Sequence, residues 1–196
     1  ASSVGIRVTG GKLTVGVEGE PLSKVEVSGN AGEGIVLTGG MATVLDVQIH
    51  NALVSGNDGT GIVVDVINET SKVKVQGCEV RSNGRVAPRV SAGRSAGGVF
   101  FKQGSLAPLT FLANLVYGNG NDQLTFESSK AWSIAPGACG SSSNVFACVT
   151  SGSYAVRIAG GGSVDASNTV WPGIPAEPFM SVGVATGGTF CNGEQG

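Results

Sequence analysis

The chain has 196 residues, 33 of them Gly, with 41% hydrophobic and 13% charged residues, against about 7% Gly and about 25% charged in an average soluble domain. The glycine content argues against helices, the recurring Val, Ile and Leu argue against disorder, and a net charge of −2 argues against a nucleic-acid partner. No apolar run approaches the ~18 residues of a membrane span, and residues 1–30 lack a basic segment followed by an apolar one.

In chain order, the first predicted strand is Gly5-Ile6-Arg7-Val8-Thr9. It recurs as Gly34-Ile35-Val36-Leu37-Thr38, Gly61-Ile62-Val63-Val64-Asp65, Gly98-Val99-Phe100-Phe101-Lys102, Gln123-Leu124-Thr125-Phe126-Glu127 and Ala155-Val156-Arg157-Ile158-Ala159. A second motif precedes each return to this strand: Val27-Ser28-Gly29-Asn30, Val54-Ser55-Gly56-Asn57, Val80-Arg81-Ser82-Asn83 and Val116-Tyr117-Gly118-Asn119, with Cys148-Val149-Thr150-Ser151 as a degenerate fifth copy. Further strands are predicted at Val44 to Val47, Lys72 to Val75 and Leu109 to Leu112. Short alternating strands separated by Gly/Asn turns, with a period of roughly 25–30 residues, require a coil of three strands stacked at ~4.8 Å. Two inward columns follow, Ile6-Ile35-Ile62-Val99-Leu124-Val156 and Val8-Leu37-Val64-Phe101-Phe126-Ile158, and every member is apolar. Asn30, Asn57, Asn83 and Asn119 are expected to form a turn ladder, each in a left-handed backbone conformation with its side chain bonded to the next coil.

The GI/V strands and SGN turns resemble the pectin-lyase-like right-handed parallel β-helix superfamily over about residues 4–159. The expected fold is therefore all-β, a right-handed parallel β-helix of about six coils spanning 1–159, with 160–196 as a C-terminal capping segment of the same domain anchored by Trp171 and Phe179. The resemblance implies polysaccharide lyases, hydrolases and epimerases working on an outer strand face. The polygalacturonase carboxylate pair, His-Gly and Arg-Ile-Lys motifs have no match, since Arg157-Ile158-Ala159 departs from the last at the lysine.

The outward columns read Arg7-Val36-Val63-Phe100-Thr125-Arg157 and Thr9-Thr38-Asp65-Lys102-Glu127-Ala159. Asp65, Lys102 and Glu127 are the catalytic candidates. The two carboxylates lie two coil spacings apart, about 9.6 Å, near the upper limit of about 9.5 Å for an inverting glycosidase. The cation between them lowers both acidities and disfavours a general acid, whereas β-elimination of a uronide can use Lys102 with a nearby Arg. The same three residues also make a self-satisfying charge ladder. Phe100 with Val63 and Val36 is expected to form an exposed apolar strip for a sugar ring or a protein. The longest interruption of the repeat, between Asn83 and Gly97, carries Arg85, Arg89 and Arg94 without an acid; it reads equally as a carboxylate-binding element or a plain surface loop. Arg157 completes the ligand-binding candidates.

Cys78, Cys139, Cys148 and Cys191 lack zinc-ribbon spacing; Cys139 and Cys148 are close enough for a local disulfide, while Cys78 and Cys148 read equally well as small buried residues. The single histidine, His50, at a strand exit, excludes a His-cluster metal site. No metal or cofactor is expected, with Ca²⁺ entering only under a lyase reading, because Asp46, Asp58 and Asp65 are too scattered to share one ion. Asn68-Glu69-Thr70 is a glycosylation acceptor in a eukaryotic secretory source. The repeat is in phase from Val4, so the first coil is expected to stack on an upstream domain of the same polypeptide or on another copy, end to end. The favoured expectation is an extracellular or cell-surface module that binds a glycan or a partner protein. The alternatives are a lyase or epimerase of an acidic glycan, and a structural shaft that self-associates.

Overall fold

The computed structural model describes residues 3–20, 25–84, 97–102, 109–128, 131–133, 143–147, 154–159, 163–165, 169–170 and 179–181. Among them there is no helix, and hence none long and apolar enough to cross a membrane. The strands form one seven-stranded, one six-stranded and one four-stranded sheet and a two-stranded pair, and every pairing is parallel. Successive strands in the chain go to different sheets, and every third strand returns beside its predecessor. The architecture is thus all-β with stacked parallel sheets, compatible with a parallel β-solenoid.

Register follows the two apolar columns. Ile6, Ile35, Ile62, Val99, Leu124 and Val156 are Cα partners in turn across the seven-stranded sheet, as are Val8, Leu37, Val64, Phe101, Phe126 and Ile158. All but Ile6 are buried, in one core cluster with Val47, Val75 and Val116 from the other two sheets. A one-residue slip would turn either column to solvent, so burial fixes the register. Each fully buried aliphatic side chain contributes about 1.5–3 kcal/mol by transfer. Towards the later coils the core becomes aromatic: Trp132 stands with its ring centroid 4.7 Å from that of Phe101 and 5.3 Å from that of Phe126.

The four-stranded sheet contains Gly11–Val15, Leu45–His50, Lys72–Gln76 and Leu109–Leu112, which includes the three further strands expected from the sequence. The six-stranded sheet contains Glu26–Ser28, Leu53–Ser55, Glu79–Arg81, Leu115–Tyr117, Asn144–Ala147 and Thr169–Val170. Here Val116 pairs with Phe146, so the fifth copy of the second motif begins near Phe146 and not at Cys148. The segment after Gly160 contributes Ser163–Asp165, Thr169–Val170 and Phe179–Ser181, each paired in parallel with a strand of the preceding coil. Parallel pairing therefore continues beyond residue 159; Trp171 and the side chain of Phe179 lie outside the described residues.

The asparagines form the expected ladder. The Nδ2 of Asn30 donates to Asn57 Oδ1 at 2.7 Å, that of Asn57 to Asn83 Oδ1 at 2.8 Å, that of Asn83 to Asn119 Oδ1 at 3.1 Å, and that of Asn119 to Gln123 Oε1 at 2.7 Å. Asn57 also donates to the Val27 carbonyl at 3.1 Å and accepts the Asn30 backbone N–H at 3.1 Å, so its buried amide is fully satisfied. The left-handed conformation falls one residue earlier than expected, on Gly29, Gly56, Ser82 and Gly118, with φ of 67°, 64°, 55° and 59°. The bend there turns the following Asn inward. A second turn repeats the device: Asn51, Gly77 and Ala113 have φ of 47°, 67° and 54°. The column that follows includes Cys78 and Asn114. Cys78 N–H donates to Asn114 Oδ1 and Asn114 Nδ2 donates to Asn144 Oδ1, both at 3.0 Å.

The glycine opening each of the first four repeated strands is required by this ladder. A Cβ at Gly34 would stand 2.6 Å from the Gly61 carbonyl oxygen and 2.8 Å from Asn57 Nδ2; one at Gly61 would stand 2.7 Å from both the Gly98 carbonyl oxygen and Asn83 Nδ2. Gly61→Ala is therefore expected to cost about 1–3 kcal/mol, whereas Gly40→Ala, where a Cβ meets nothing within 4 Å, should stay within about 0.5 kcal/mol of the parent. Chemical denaturation of the two variants separates these outcomes. Ala113→Gly is expected to raise stability by roughly 0.5–1 kcal/mol, because the left-handed region costs an L-residue about 1–2 kcal/mol and glycine gives part of that back in unfolded-state entropy.

Candidate functional site

The outer surface of the seven-stranded sheet carries most of the candidate residues. Its first outward column proves to be covered. Phe100 and Val36 are 2% exposed and Val63 is 3% exposed, and the three form a second apolar cluster with Val4 packed against it. The expected exposed strip for a ligand is thus replaced by a small outer core, with Phe100 and Val63 inside it. Alternation assigns a side chain to the inner or the outer face of a strand, and an outer face can be covered in its turn.

Arg157, in the same column, is held by Asp122. Its Nε and one terminal nitrogen reach the two carboxylate oxygens, and its guanidinium lies 4.7 Å from the Tyr154 ring centroid. Asp122, buried, also accepts the Tyr154 backbone N–H at 3.0 Å and the Thr125 hydroxyl at 3.3 Å. This arrangement ties the last outward positions of the sheet to the turn carrying Asp122, so Arg157 has a structural anchor on its ligand-seeking side. Sequence spacing alone did not pair Arg157 with Asp122, because they stand on different coils.

The second outward column is open. Lys102 Nζ lies 3.1 Å from Asp65 Oδ2, with side-chain exposures of 40% and 18%. The ion pair engages these two candidates with each other, and at such exposure it is worth about 0.2–1 kcal/mol. Asp65 nevertheless lines a shallow groove, broadly open to solvent, of about 330 Å³ together with Thr9, Thr38, Gly39, Gly40 and Ile67. Thr38 and Asp65 are Cα partners, so a hydroxyl and a carboxylate stand on neighbouring coils. Gly39 and Gly40 form part of the same lining without side chains. Such a groove offers hydrogen-bond donors and acceptors at the strand spacing of ~4.8 Å, beside one apolar side chain, Ile67. Glu127 is half-buried at the end of Leu124–Glu127 and outside this groove. Arg85, Arg89 and Arg94 lie outside the described residues, as do Cys139, Cys148 and Cys191. Among the described residues no cluster of His, Cys, Asp and Glu could hold a metal ion.

Cys78 is a buried, free thiol whose Sγ lies 3.5 Å from the Gln76 carbonyl oxygen. Burial pushes its pKa up to about 11, which leaves it inert as a nucleophile at neutral pH. His50 closes the strand Leu45–His50, 2% exposed, with Nε2 3.2 Å from Gln48 Oε1. Burial, and secondarily the Lys74 ammonium, hold its pKa below the ordinary 6.5. The unfolded chain therefore binds a proton on His50 at a higher pH than the folded chain, and stability is lost as pH falls below about 6.5 through the folded value. Urea midpoints measured from about pH 8 to pH 5 should fall for the parent more steeply than for His50→Gln; equal slopes would remove His50 as the source. No protein-family model matches the chain, and the searches of curated proteins and of solved structures returned no match to it either.

Proposed function

We propose that the chain is a right-handed parallel β-helix of about six coils, of the pectin-lyase-like kind, serving as an extracellular or cell-surface module that binds a glycan through the groove beside Asp65. The observation that carries this reading is the lining of that groove: Thr9, Thr38 and Asp65 on consecutive coils with Ile67 next to them. A hydroxyl-rich chain laid along the stack meets one polar side chain per coil, at a spacing comparable to one pyranose unit. The apolar side chain beside them suits the C–H face of a sugar ring. The Asp65–Lys102 pair favours binding over β-elimination, because Lys102, which elimination needs beside an arginine, is already engaged by Asp65.

A glycan array probed with the parent, Thr38→Val and Asp65→Asn tests this. Loss of one neutral hydrogen bond should weaken retention about 2–10-fold for Thr38→Val, and loss of a charged acceptor about 10–100-fold for Asp65→Asn. Thermal midpoints should be nearly unchanged, since both side chains are on the outside of the sheet. Retention of the same glycans by all three proteins, or of none by the parent, would reject the groove as the site.

A further inference from the structure

The outer face of the four-stranded sheet belongs to other residues and does not depend on the glycan groove. Register places Lys12, Asp46 and Lys72 side by side across three strands, and Thr14, Gln48, Lys74 and Thr110 across four. Asp46, Gln48, Lys72, Lys74 and Thr110 line a groove of about 230 Å³ floored by the strands of Val47 and Val73. Lys72 and Lys74 are two residues apart on one strand and so stand on the same face, about 6.6 Å apart at the backbone.

Asp46, beside Lys72 in register, is paired with Lys12 at 3.8 Å, and a second carboxylate reaches the groove from outside the sheet. Glu18, from the turn after Gly11–Val15, crosses to Lys74, with Oε1 2.6 Å from Nζ and its side chain 59% exposed. The Lys74 ammonium, through a hydrogen bond and charge, holds the Glu18 carboxyl below its ordinary range. Glu18-Gly19-Glu20 is itself an acid-x-acid sequence, held in a turn with Gly19 at φ of 82° so that Glu18 alone reaches a lysine, and Glu20 is exposed. In an extended segment two such carboxylates project from one face at the same ~6.6 Å that separates Lys72 from Lys74. In a helix, positions i and i+2 do not share a face.

We propose that this groove docks an extended acid-x-acid segment of a partner protein, one carboxylate on Lys74 and the other on Lys72, and that Glu18 is a built-in competitor for the Lys74 position. Gln48 and Thr110 flank the lysines with hydrogen-bonding groups for the segment's backbone. A long polyanion such as nucleic acid is disfavoured, because Asp46 lines the same groove and the chain carries a net charge of −2.

The experiment uses the full chain and a fluorescent peptide, Gly-Glu-Gly-Glu-Gly, followed by anisotropy at low salt. Glu18→Gln should bind about two- to fivefold more tightly than the parent, because it vacates Lys74. Lys72→Met and Lys74→Met should each bind about two- to fivefold more weakly, and the double variant about tenfold more weakly, with unchanged thermal midpoints. Binding should fade as salt passes about 0.15 M, and a peptide with its two glutamates adjacent should bind less well. An unchanged or weaker affinity for Glu18→Gln would overturn the proposal, as would lysine variants that bind like the parent. Tighter, Lys74-dependent binding of an oligouronate of the same charge would also overturn it, by assigning the groove to a glycan.

Discussion

The pairing of a turn asparagine with a facing glycine is the constraint on which the stack depends. Neighbouring strands approach to about 4.8 Å, which leaves each buried Asn amide room to bond with the layers on either side only if the strand-opening residue beside it has no Cβ. The two sequence motifs are thus one physical unit. An unpaired amide at this depth would cost about 1–3 kcal/mol. Rung after rung of satisfied amides removes that cost and holds the strands at the height where the apolar columns meet. Where Gln123 stands in the glycine's place, its own side chain accepts the last asparagine of the run, so the ladder ends on a residue that supplies its missing acceptor.

Legibility followed from how strictly each feature is fixed by local chemistry. The inward columns could be read because burial tolerates no charge at Ile35, Leu37, Ile62 or Val64, and a period of strands, turns and glycines marks where each falls. Asn57 and Asn83 could be read as rungs for the same reason. The left-handed residue was displaced by one, because Asn tolerates that conformation in isolation, whereas here Gly56 and Ser82 take the bend and leave Asn57 and Asn83 free to point inward. The second ladder leaves a weaker trace in the sequence: Asn114 and Asn144 are only two rungs, and Cys78 precedes them in the column.

The outer surfaces were less readable, since what covers a face is decided by distant parts of the chain. Phe100 alternates outward as the pattern requires, yet it is enclosed. Arg157 has the chemistry of a ligand contact, and its partner Asp122 is a turn residue on the preceding coil. The strand period makes Asp65 and Lys102 neighbours, and the structure joins them as an ion pair beside an open groove. Sequence thus located the polar positions, while their division into anchors and accessible groups required the packing.

The direction of the asparagine ladder has one more consequence. Every rung donates from Nδ2 to the oxygen of the rung that follows in the chain, so neighbouring coils are held in a fixed order as well as a fixed phase. Removing or adding a stretch that spans one whole turn of the stack returns an asparagine to its glycine and an apolar residue to its column. Any other length opposes an amide to a side chain and swings the columns outward. The length of such a chain is in effect quantised, and its history of insertions and deletions is restricted to changes that return the strands to phase, as the pairing of Val99 with Ile62 does after a longer step in sequence than that from Ile35 to Ile62.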